Sequence, residues 1–433
     1  MIKNKIVKNA GWIIGCNIAK SIFSLIISMF TARYLGPSNF GIINYAASIV
    51  SFVSPIMYLG LNSVLVQEIV QNSSDDNKIL GTAITLSFIS SLFCILGIFT
   101  FTSIANYGET ETIVVSLLYS ILLVFQGIDL IQYWFQANYL SKYPSIVILI
   151  AHALVSIYRI FLLITKKKIY WFAVSNAIDY MIIAFSLIII YKILSKKRLN
   201  FSWNLAKKIL SKSKYYILSS MMVTIFAQTD KIMIKLMIGD KETGFYSAGV
   251  ACASMTAFVF SAIIDSFRPM IFEMKKKDNE KYLRNLYMLN SIVIYLSLLQ
   301  SLFITLFSKY IILILYGKDY LESVNVLRII VWYTTFSYLG ATRNIWLLAE
   351  GKQKYLTIID SCGALFNVIL NFILIPFLGI CGAALASLIT QIFTNIIITF
   401  IIKPIRYNNT ILYRSLNLKQ LLKNFRLLKS KKK

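Results

Sequence analysis

Apolar stretches long enough to cross a lipid bilayer recur along the whole chain. A membrane-spanning helix needs about 20 mostly apolar residues, and stretches of this length alternate with short polar segments throughout the 433 residues. Their hydropathy predicts twelve spans, at residues 11–33, 40–63, 79–105, 112–136, 143–165, 169–194, 213–237, 244–267, 285–307, 322–348, 354–376 and 379–403. The chain is therefore predicted to be an all-α integral membrane protein with about twelve transmembrane helices.

The composition excludes an ordinary soluble protein. Hydrophobic residues make up 58% of the chain and charged residues 14%, whereas soluble domains carry about 25% charged residues. The polar segments between the apolar stretches are too short to build a core of their own. We therefore expect no soluble domain.

The basic residues predict how the spans are oriented. Lys and Arg number 44 against 18 Asp and Glu, a net charge of +26. Of these bases, 31 lie in the termini and the loops on one predicted side and 7 in the loops on the other, which places both termini in the cytoplasm of a multi-pass protein of the cytoplasmic (inner) membrane. This distribution explains the positive charge without any nucleic-acid partner. Lys166, Lys167 and Lys168 depart from the rule, since they fall on the predicted outer side.

A glycine motif occurs at the same point of each half of the chain. Gly36 and Gly41 follow the first predicted span, and Gly239 and Gly244 follow the seventh, 203 residues later. Glycine at both positions suits a tight turn after which the next helix begins at once. The motif predicts a pseudo-twofold repeat of two six-helix lobes, an organisation in which transporters bind their substrate between the repeats.

The repeat predicts where the chain divides. We expect an N-terminal lobe at 1–194, a basic cytoplasmic linker at 195–214, a C-terminal lobe at 215–403 and a basic cytoplasmic tail at 404–433. The lysines at 429 and 431–433 of the tail are expected either to rest on anionic lipid of the inner leaflet or to be solvated.

Eleven ionisable residues fall inside predicted spans. A charge at the centre of a membrane helix costs about 2.5–3.5 kcal/mol on insertion scales, so such residues face a partner or a water-filled cavity rather than lipid. The basic ones are Lys20, Arg159, Lys231, Lys235, Arg328 and Arg343, and the acidic ones are Asp129, Asp179, Asp230, Asp265 and Asp360.

Helical spacing places several of these residues on polar stripes. Gln126 and Asp129 share a stripe of span 4, and His152 and Arg159 share one of span 5. Such stripes on many spans predict a shared hydrated interior. The structural alternative is that the polar side chains bond neighbouring helices. For His152, that alternative is favoured over a role in proton transfer.

The motifs of soluble enzymes are absent from the sequence. It contains no G-x-x-x-x-G-K-[ST] phosphate loop, no G-x-S-x-G elbow and no cluster with metal-ligand spacing, and its single histidine cannot form H-E-x-x-H. We therefore expect no enzyme, no cofactor and no metal. Uphill transport by such a chain needs an ion gradient or the supply of substrate.

Four ordered motifs carry a family resemblance. The chain resembles the bacterial polysaccharide transporters, the O-antigen flippase-like branch of the multidrug/oligosaccharidyl-lipid/polysaccharide exporter superfamily. The stretches that carry it are 32–41 (ARYLGPSNFG) with 59–61 (LGL), 229–234 (TDKIMI) with 244–248 (GFYSA), 315–320 (LYGKDY) with 326–328 (VLR), and 350–354 (EGKQK) with Asn367, Asn371, 375–376 (IP) and 379–384 (GICGAA).

The resemblance implies two six-helix lobes around a cleft that opens alternately to each side of the membrane. It also implies the substrate, an oligosaccharide on undecaprenyl pyrophosphate that is turned from the inner to the outer leaflet. Polysaccharide polymerase and chain-length proteins are then the expected partners. A multidrug exporter of the same superfamily and a non-transporting scaffold for polysaccharide assembly are the alternatives.

The resemblance turns the charged residues inside the spans into a hypothesis about the site. The predicted ligands of the substrate head group are Arg159, Lys231 and Arg343, with Lys20 as a weaker candidate. The predicted ion-coupling residues are Asp129, Asp179, Asp230 and Asp360, which otherwise serve as partners of those bases.

Overall fold

The fold begins with a long helix that is broken at one glycine. The computed structural model describes residues 2–417, apart from the side chains of residues 2–11, 13–14, 17 and 215. The helix Ile2–Met57 is divided at Gly36 into α1 (2–35) and α2 (37–57). Gly36 has a φ of +74°, a backbone conformation that glycine adopts without steric cost. Pro37 then begins α2, where its missing N–H costs no hydrogen bond.

Helices also form most of the rest of the described chain. The helices that follow α2 are α3 (Leu65–Gln71), α4 (Asp76–Ala105), α5 (Thr110–Ser120), α6 (Leu122–Asp129), α7 (Gln132–Ala137), α8 (Lys142–Ile164), α9 (Ile169–Ser195) and α10 (Trp203–Met237). After them come α11 (Asp240–Ala253), α12 (Ala257–Lys277), α13 (Asn279–Leu315) and α14 (Ser323–Ala349).

A second glycine breaks the helix Lys354–Ile392. Gly379, with a φ of +57°, divides it into α15 (354–378) and α16 (380–392). A π-helical turn, Phe393–Ile397, then leads into α17 (Ile398–Ile401) and α18 (Tyr407–Ser415). No strand occurs between residues 2 and 417, so the prediction of an all-α membrane protein is confirmed.

Nine helices of the described chain are long and apolar enough to cross a membrane. Two of them, Ile18–Met57 and Lys354–Ile401, contain the breaks at Gly36 and Gly379. The helix α14, which is not among the nine, is 27 residues long and carries two arginines. The count of twelve spans and the cytoplasmic location of both termini stay predictions.

The chain forms two compact units, Met1–Gly244 and Phe245–Lys433. The N-terminal unit has a core of buried residues that includes Leu80, Phe135 and Tyr191. The C-terminal unit has its own core, which includes Leu286 and Trp346. The helix α10 belongs to the N-terminal unit, and the predicted division of the chain at 195–214 stays a prediction.

The two glycine motifs pack against each other within the N-terminal unit. A Cβ atom built on Gly41 would lie 1.8 Å from the backbone oxygen of Asp240, and one on Gly244 would lie 1.9 Å from that of Pro37. Asp240 is 203 positions after Pro37, as Gly244 is after Gly41. The contact is therefore reciprocal, as a pseudo-twofold repeat requires, and both glycines are needed because no side chain fits.

The segment predicted as a basic linker is bound along the ends of α3 and α4. Lys197 Nζ lies 2.6 Å from Asp76 Oδ1, and Lys212 forms an ion pair with the buried Glu68. The indole Nε1 of Trp134 donates to the second oxygen of Asp76 at 2.8 Å. These bonds fix the segment to the N-terminal unit.

The first part of the predicted tail is bound to α13. The Ser291 hydroxyl donates to the carbonyl of Ser415 and the Tyr295 hydroxyl donates to that of Leu416, both at 2.6 Å. Residues 418–433, with the lysines at 429 and 431–433, lie outside the described residues.

Candidate functional site

A cluster of charged side chains lies inside the helices of the N-terminal unit. Its members are Lys20 on α1, Asp129 on α6, His152 and Arg159 on α8, and Asp179 on α9. We call this set the charged cluster. Four of the eight predicted site residues belong to it, and the other four lie elsewhere.

Arg159 connects α8 to α9. Its Nε donates to Ser175 Oγ and its Nη2 donates to Asn176 Oδ1, both at 2.8 Å. Asp179 and Tyr119 act on it electrostatically. Hydroxyl and amide partners hold the side chain in place without neutralising its charge. Other N–H donors of the guanidinium are therefore available to an anion.

His152 and Asp179 form a second connection between the same helices. His152 Nδ1 lies 2.9 Å from Asp179 Oδ2. The other oxygen, Asp179 Oδ1, is buried and has no hydrogen-bond partner among the described residues. The two side chains are thus within ion-pair distance across the helices, but His152 Nδ1 makes no hydrogen bond to the described residues, so the helix-to-helix bond expected for the histidine stays a prediction.

Asp129 lies where the predicted fourth span breaks into short helices. It is the last residue of α6, and its Oδ2 accepts a hydrogen bond from Gln132 Nε2 at 2.8 Å. Its Oδ1 is buried without a hydrogen-bond partner in the described part of the chain. Lys20 and Asp179 are the charged residues that act on it electrostatically.

The cluster thus contains two carboxylates that each keep one buried, unpartnered oxygen. Buried polar atoms in proteins are almost always hydrogen-bonded, so such oxygens are candidate positions for a proton, a cation or a water molecule. Ionisable groups inside membrane helices commonly serve ion or proton pathways. The cluster combines this acidic part with the basic side chains of Lys20 and Arg159.

Two of the remaining predicted residues lie on α10. Lys231 is partly buried, and its sequence neighbour Asp230 is buried and acts on it electrostatically. The structure therefore places them as a second charged pair in the N-terminal unit.

The last two predicted residues lie in the C-terminal unit. Arg343 is buried, and its Nη1 donates to the Thr394 carbonyl and to Asn395 Oδ1, both at 2.9 Å. Its Nε and Nη2 donate to Asn344 Oδ1, and Asp360 acts on it electrostatically. All three guanidinium nitrogens are engaged by the unit itself. The π-turn carries Thr394 and Asn395, so Arg343 fixes this turn to α14.

The charged cluster has an uncharged counterpart in the C-terminal unit. Lys142 and Lys354, which begin α8 and α15, are 212 positions apart. At this spacing Asn371 corresponds to Arg159 and Ser387 corresponds to Ser175. Asn371 Nδ2 donates to Asn367 Oδ1 at 3.1 Å, and Asn367 Nδ2 donates to Ser387 Oγ at 3.4 Å. At these positions the C-terminal unit therefore has an uncharged polar network.

A further ion-pair network was missed by the sequence reasoning. Lys235 is buried, and its Nζ lies 2.6 Å from Glu109 Oε2 and 2.7 Å from Asp240 Oδ1. Glu109 also accepts from Asn106 Nδ2 at 3.1 Å, and Asn106 Oδ1 accepts from the Tyr45 hydroxyl at 2.8 Å. A buried lysine requires an acidic partner, but Glu109 lies in a loop outside the predicted spans, so helical spacing does not pair it with Lys235.

The network stabilises the ionised form of Glu109. Partial burial alone would raise the pKa of this carboxyl, but the hydrogen bonds and the positive charge of Lys235 hold it below its ordinary value. The loop before α5 is therefore tied to the end of α10 and the start of α11. This is the same end of the unit at which the glycine motifs meet.

Comparison with known proteins gives one family and a shared fold. Residues 6–275 match the family described as polysaccharide biosynthesis protein. The capsular polysaccharide biosynthesis protein CapF of Staphylococcus aureus is 24% identical over 400 residues, which cover 89% of this chain and 96% of CapF. An uncharacterized membrane protein of Methanocaldococcus jannaschii is 28% identical over 239 residues, 51% of this chain and 46% of that protein.

Two groups of solved structures share the fold. The lipid II flippase MurJ in its inward closed conformation superposes with a TM-score of 0.75 at 18% identity, covering 93% of this chain and 90% of MurJ. The inward-facing conformation of a MATE family multidrug resistance transporter of the MOP superfamily superposes with a TM-score of 0.69 at 13% identity, covering 92% and 95%. The fold is thus that of membrane transporters.

Proposed function

Because the chain belongs to the polysaccharide biosynthesis protein family, we propose that it is a flippase for lipid-linked oligosaccharides. An oligosaccharide unit of a surface polysaccharide, such as O-antigen or capsule, moves on undecaprenyl pyrophosphate from the inner to the outer leaflet by alternating access. The observation that carries the proposal is the charged cluster inside the membrane helices. The similarity to CapF and the fold shared with a lipid II flippase support the same substrate class.

The proposal rests on the physical problem that such a substrate presents. A sugar head group does not cross hydrocarbon unaided, because its hydroxyl groups would lose their hydrogen bonds to water. A pyrophosphate costs more, since its charge would also leave water. Polar and basic side chains inside the protein replace those bonds while the polyprenyl chain stays in lipid.

In this mechanism the basic residues bind the head group. Arg159 is the principal ligand, since its charge is not neutralised by its hydroxyl and amide partners. Guanidinium groups bind phosphate oxygens through short charge-assisted hydrogen bonds. Lys20 and Lys231 supply further positive charge. Arg343 contributes less, because its three nitrogens are already engaged by the C-terminal unit.

The acidic residues couple transport to an ion gradient. Asp129 and Asp179 bind the counter-transported proton or Na⁺ through their unpartnered oxygens, and Asp230 and Asp360 balance Lys231 and Arg343. Asp179 also acts on Arg159 electrostatically. Binding of a proton or cation to the two aspartates therefore changes the affinity of the basic side chains for an anion. By thermodynamic linkage, binding of the anion changes the affinity of the aspartates for the proton or cation by the same factor.

The proposal places the protein in the cytoplasmic membrane, with both termini in the cytoplasm. There it receives its substrate from the inner leaflet and passes it to polysaccharide polymerase and chain-length proteins on the outer side. A transporter of this kind needs neither a cofactor nor a resident metal.

Deletion of the protein from its host tests the proposed function. We expect loss of surface glycan together with accumulation of the lipid-linked precursor in the inner leaflet, restored by the wild-type chain but not by Lys231→Ala. Surface glycan and precursor are measured in the same cells, with expression of each variant checked in membranes. Intact glycan combined with altered drug tolerance would contradict the proposal and assign the protein to the multidrug exporters.

A further inference from the structure

An apolar pocket lies between α2, α4 and α10 in the N-terminal unit. Its volume is about 470 Å³, within the range of about 300–1,000 Å³ that ligand pockets occupy. Its lining includes Phe52 on α2, Gly97 and Phe101 on α4, and Thr229, Ile232 and Leu236 on α10. Phe101 and Leu236 are exposed, so the pocket is open at the surface of the N-terminal unit.

The same pocket recurs in the C-terminal unit at the spacing of the repeat. Met255, Gln300 and Ile304 line a second cavity of about 600 Å³. They lie 203 positions after Phe52, Gly97 and Phe101. The fold therefore builds a pocket at this point of both halves. The second pocket differs in that Gln300 replaces the glycine and brings a polar amide into the wall.

One wall of the first pocket comes from a helix that carries charge next to it. Thr229, Ile232 and Leu236 follow at helical spacing on α10 and line the pocket. Lys231 lies one position from Ile232, about 100° around the helix. The apolar wall of the pocket and the basic side chain of Lys231 therefore lie next to each other on α10. This pairing is complementary to a lipid that has a long apolar chain and an anionic head group.

We propose that the pocket between α2, α4 and α10 binds part of the isoprenoid chain of the carrier lipid, with the pyrophosphate near Lys231. The inference rests on the proposed function and deepens it. The protein then binds both the isoprenoid chain and the pyrophosphate of its substrate. The isoprenoid chain therefore follows a fixed path along α10 while the head group moves. The second pocket, whose wall includes the polar amide of Gln300, does not bind the isoprenoid chain.

Gly97 allows the pocket to be filled without disturbing the fold. A Cβ atom built on it would meet no atom within 4 Å, and it lies inside α4, where glycine is the poorer helix former. Gly97→Phe is therefore expected to place a ring in the pocket of a folded protein. Gly15→Phe is the matched control, because Gly15 is also helical and open to 4 Å but does not line either pocket.

The experiment uses the full chain with a photoreactive benzophenone amino acid at position 101 or, in a second variant, at position 304. Undecaprenyl pyrophosphate is the probe, in phospholipid nanodiscs, and phosphatidylglycerol is the competitor. We expect cross-linking of the probe at position 101 and not at 304, without competition by phosphatidylglycerol. Gly97→Phe is expected to weaken binding of the probe at least about tenfold, because burial of several isoprenoid carbons is lost. Gly15→Phe leaves binding unchanged.

Equal cross-linking at both positions, displacement by phosphatidylglycerol, or unchanged binding to Gly97→Phe would overturn the proposal while leaving the flippase function intact. Failure of the folded wild-type protein to bind the probe at all would overturn the proposed function together with this inference. The two failures are therefore distinguishable.

Discussion

Arg159→Gln is expected to reduce export of the lipid-linked oligosaccharide by about tenfold to a hundredfold, because a hydrogen bond to a charged group contributes about 1.5–3 kcal/mol. The glutamine Nε2 takes the place of Arg159 Nε and can still donate to Ser175, whereas the bond from Nη2 to Asn176 is lost, so the contact between α8 and α9 is kept in part. What is lost is the positive charge that binds the pyrophosphate. Arg159→Lys keeps the charge without the guanidinium geometry and is expected to retain intermediate activity.

The matched control for this prediction is Arg328→Gln. Arg328 is also an arginine of a membrane helix, and its Nε donates to Ser308 Oγ at 2.9 Å, but it lies outside the charged cluster. We expect its loss to leave export nearly unchanged. Export is measured as surface glycan per molecule of protein in the membrane. Equal export by Arg159→Gln and the wild type would show that Arg159 does not bind the substrate head group.

Gly41→Ala and Gly244→Ala are each expected to destabilise the protein by about 3 kcal/mol, the upper end of the typical range for overpacked sites. The added Cβ atom would lie within 2 Å of a backbone oxygen in either case, at 1.8 Å for Gly41 and 1.9 Å for Gly244. A backbone atom cannot rotate away as a side chain can. Both turns would therefore have to move apart.

Thermal unfolding of the purified protein in detergent measures this effect. Gly97→Ala is the control, since its Cβ atom meets open space and alanine is favoured over glycine in a helix by about 1 kcal/mol. We expect a lower Tm for the first two variants and an equal or higher Tm for the control. An unchanged Tm for Gly41→Ala would show that the two turns are not in close contact.

The parts of the fold that follow from local sequence were predictable. Apolar length predicted the membrane helices, and the glycine pairs predicted the two turns at Gly36 and Gly239. The reciprocal contact of Gly41 and Gly244 was not predictable, because the motifs are far apart in the sequence. The break of the fourth predicted span next to Asp129 was also missed, although Gly127, a poor helix former, lies two residues before Asp129.

The candidate site was predictable in its residue types and not in its contacts. Helical spacing put His152 and Arg159 on one stripe, but it could not show that Asp179 partners the histidine. Likewise, Arg343 looked equivalent to Arg159 in sequence. Its engagement by the π-turn depends on a local change of helical pitch that hydropathy does not report. Long-range pairs such as Lys235 with Glu109 require the packed structure.

Movement of lipid-linked oligosaccharide between leaflets by this chain can be measured directly in vesicles. The purified protein is reconstituted into vesicles whose undecaprenyl-pyrophosphate-linked oligosaccharide carries a fluorescent sugar, confined at the start to one leaflet. A membrane-impermeant quencher then reports the fraction that reaches the other leaflet. We predict rapid transfer by the wild-type protein under an ion gradient and little transfer by Arg159→Gln. Transfer no faster than in protein-free vesicles, with the protein folded and the gradient intact, would contradict the account.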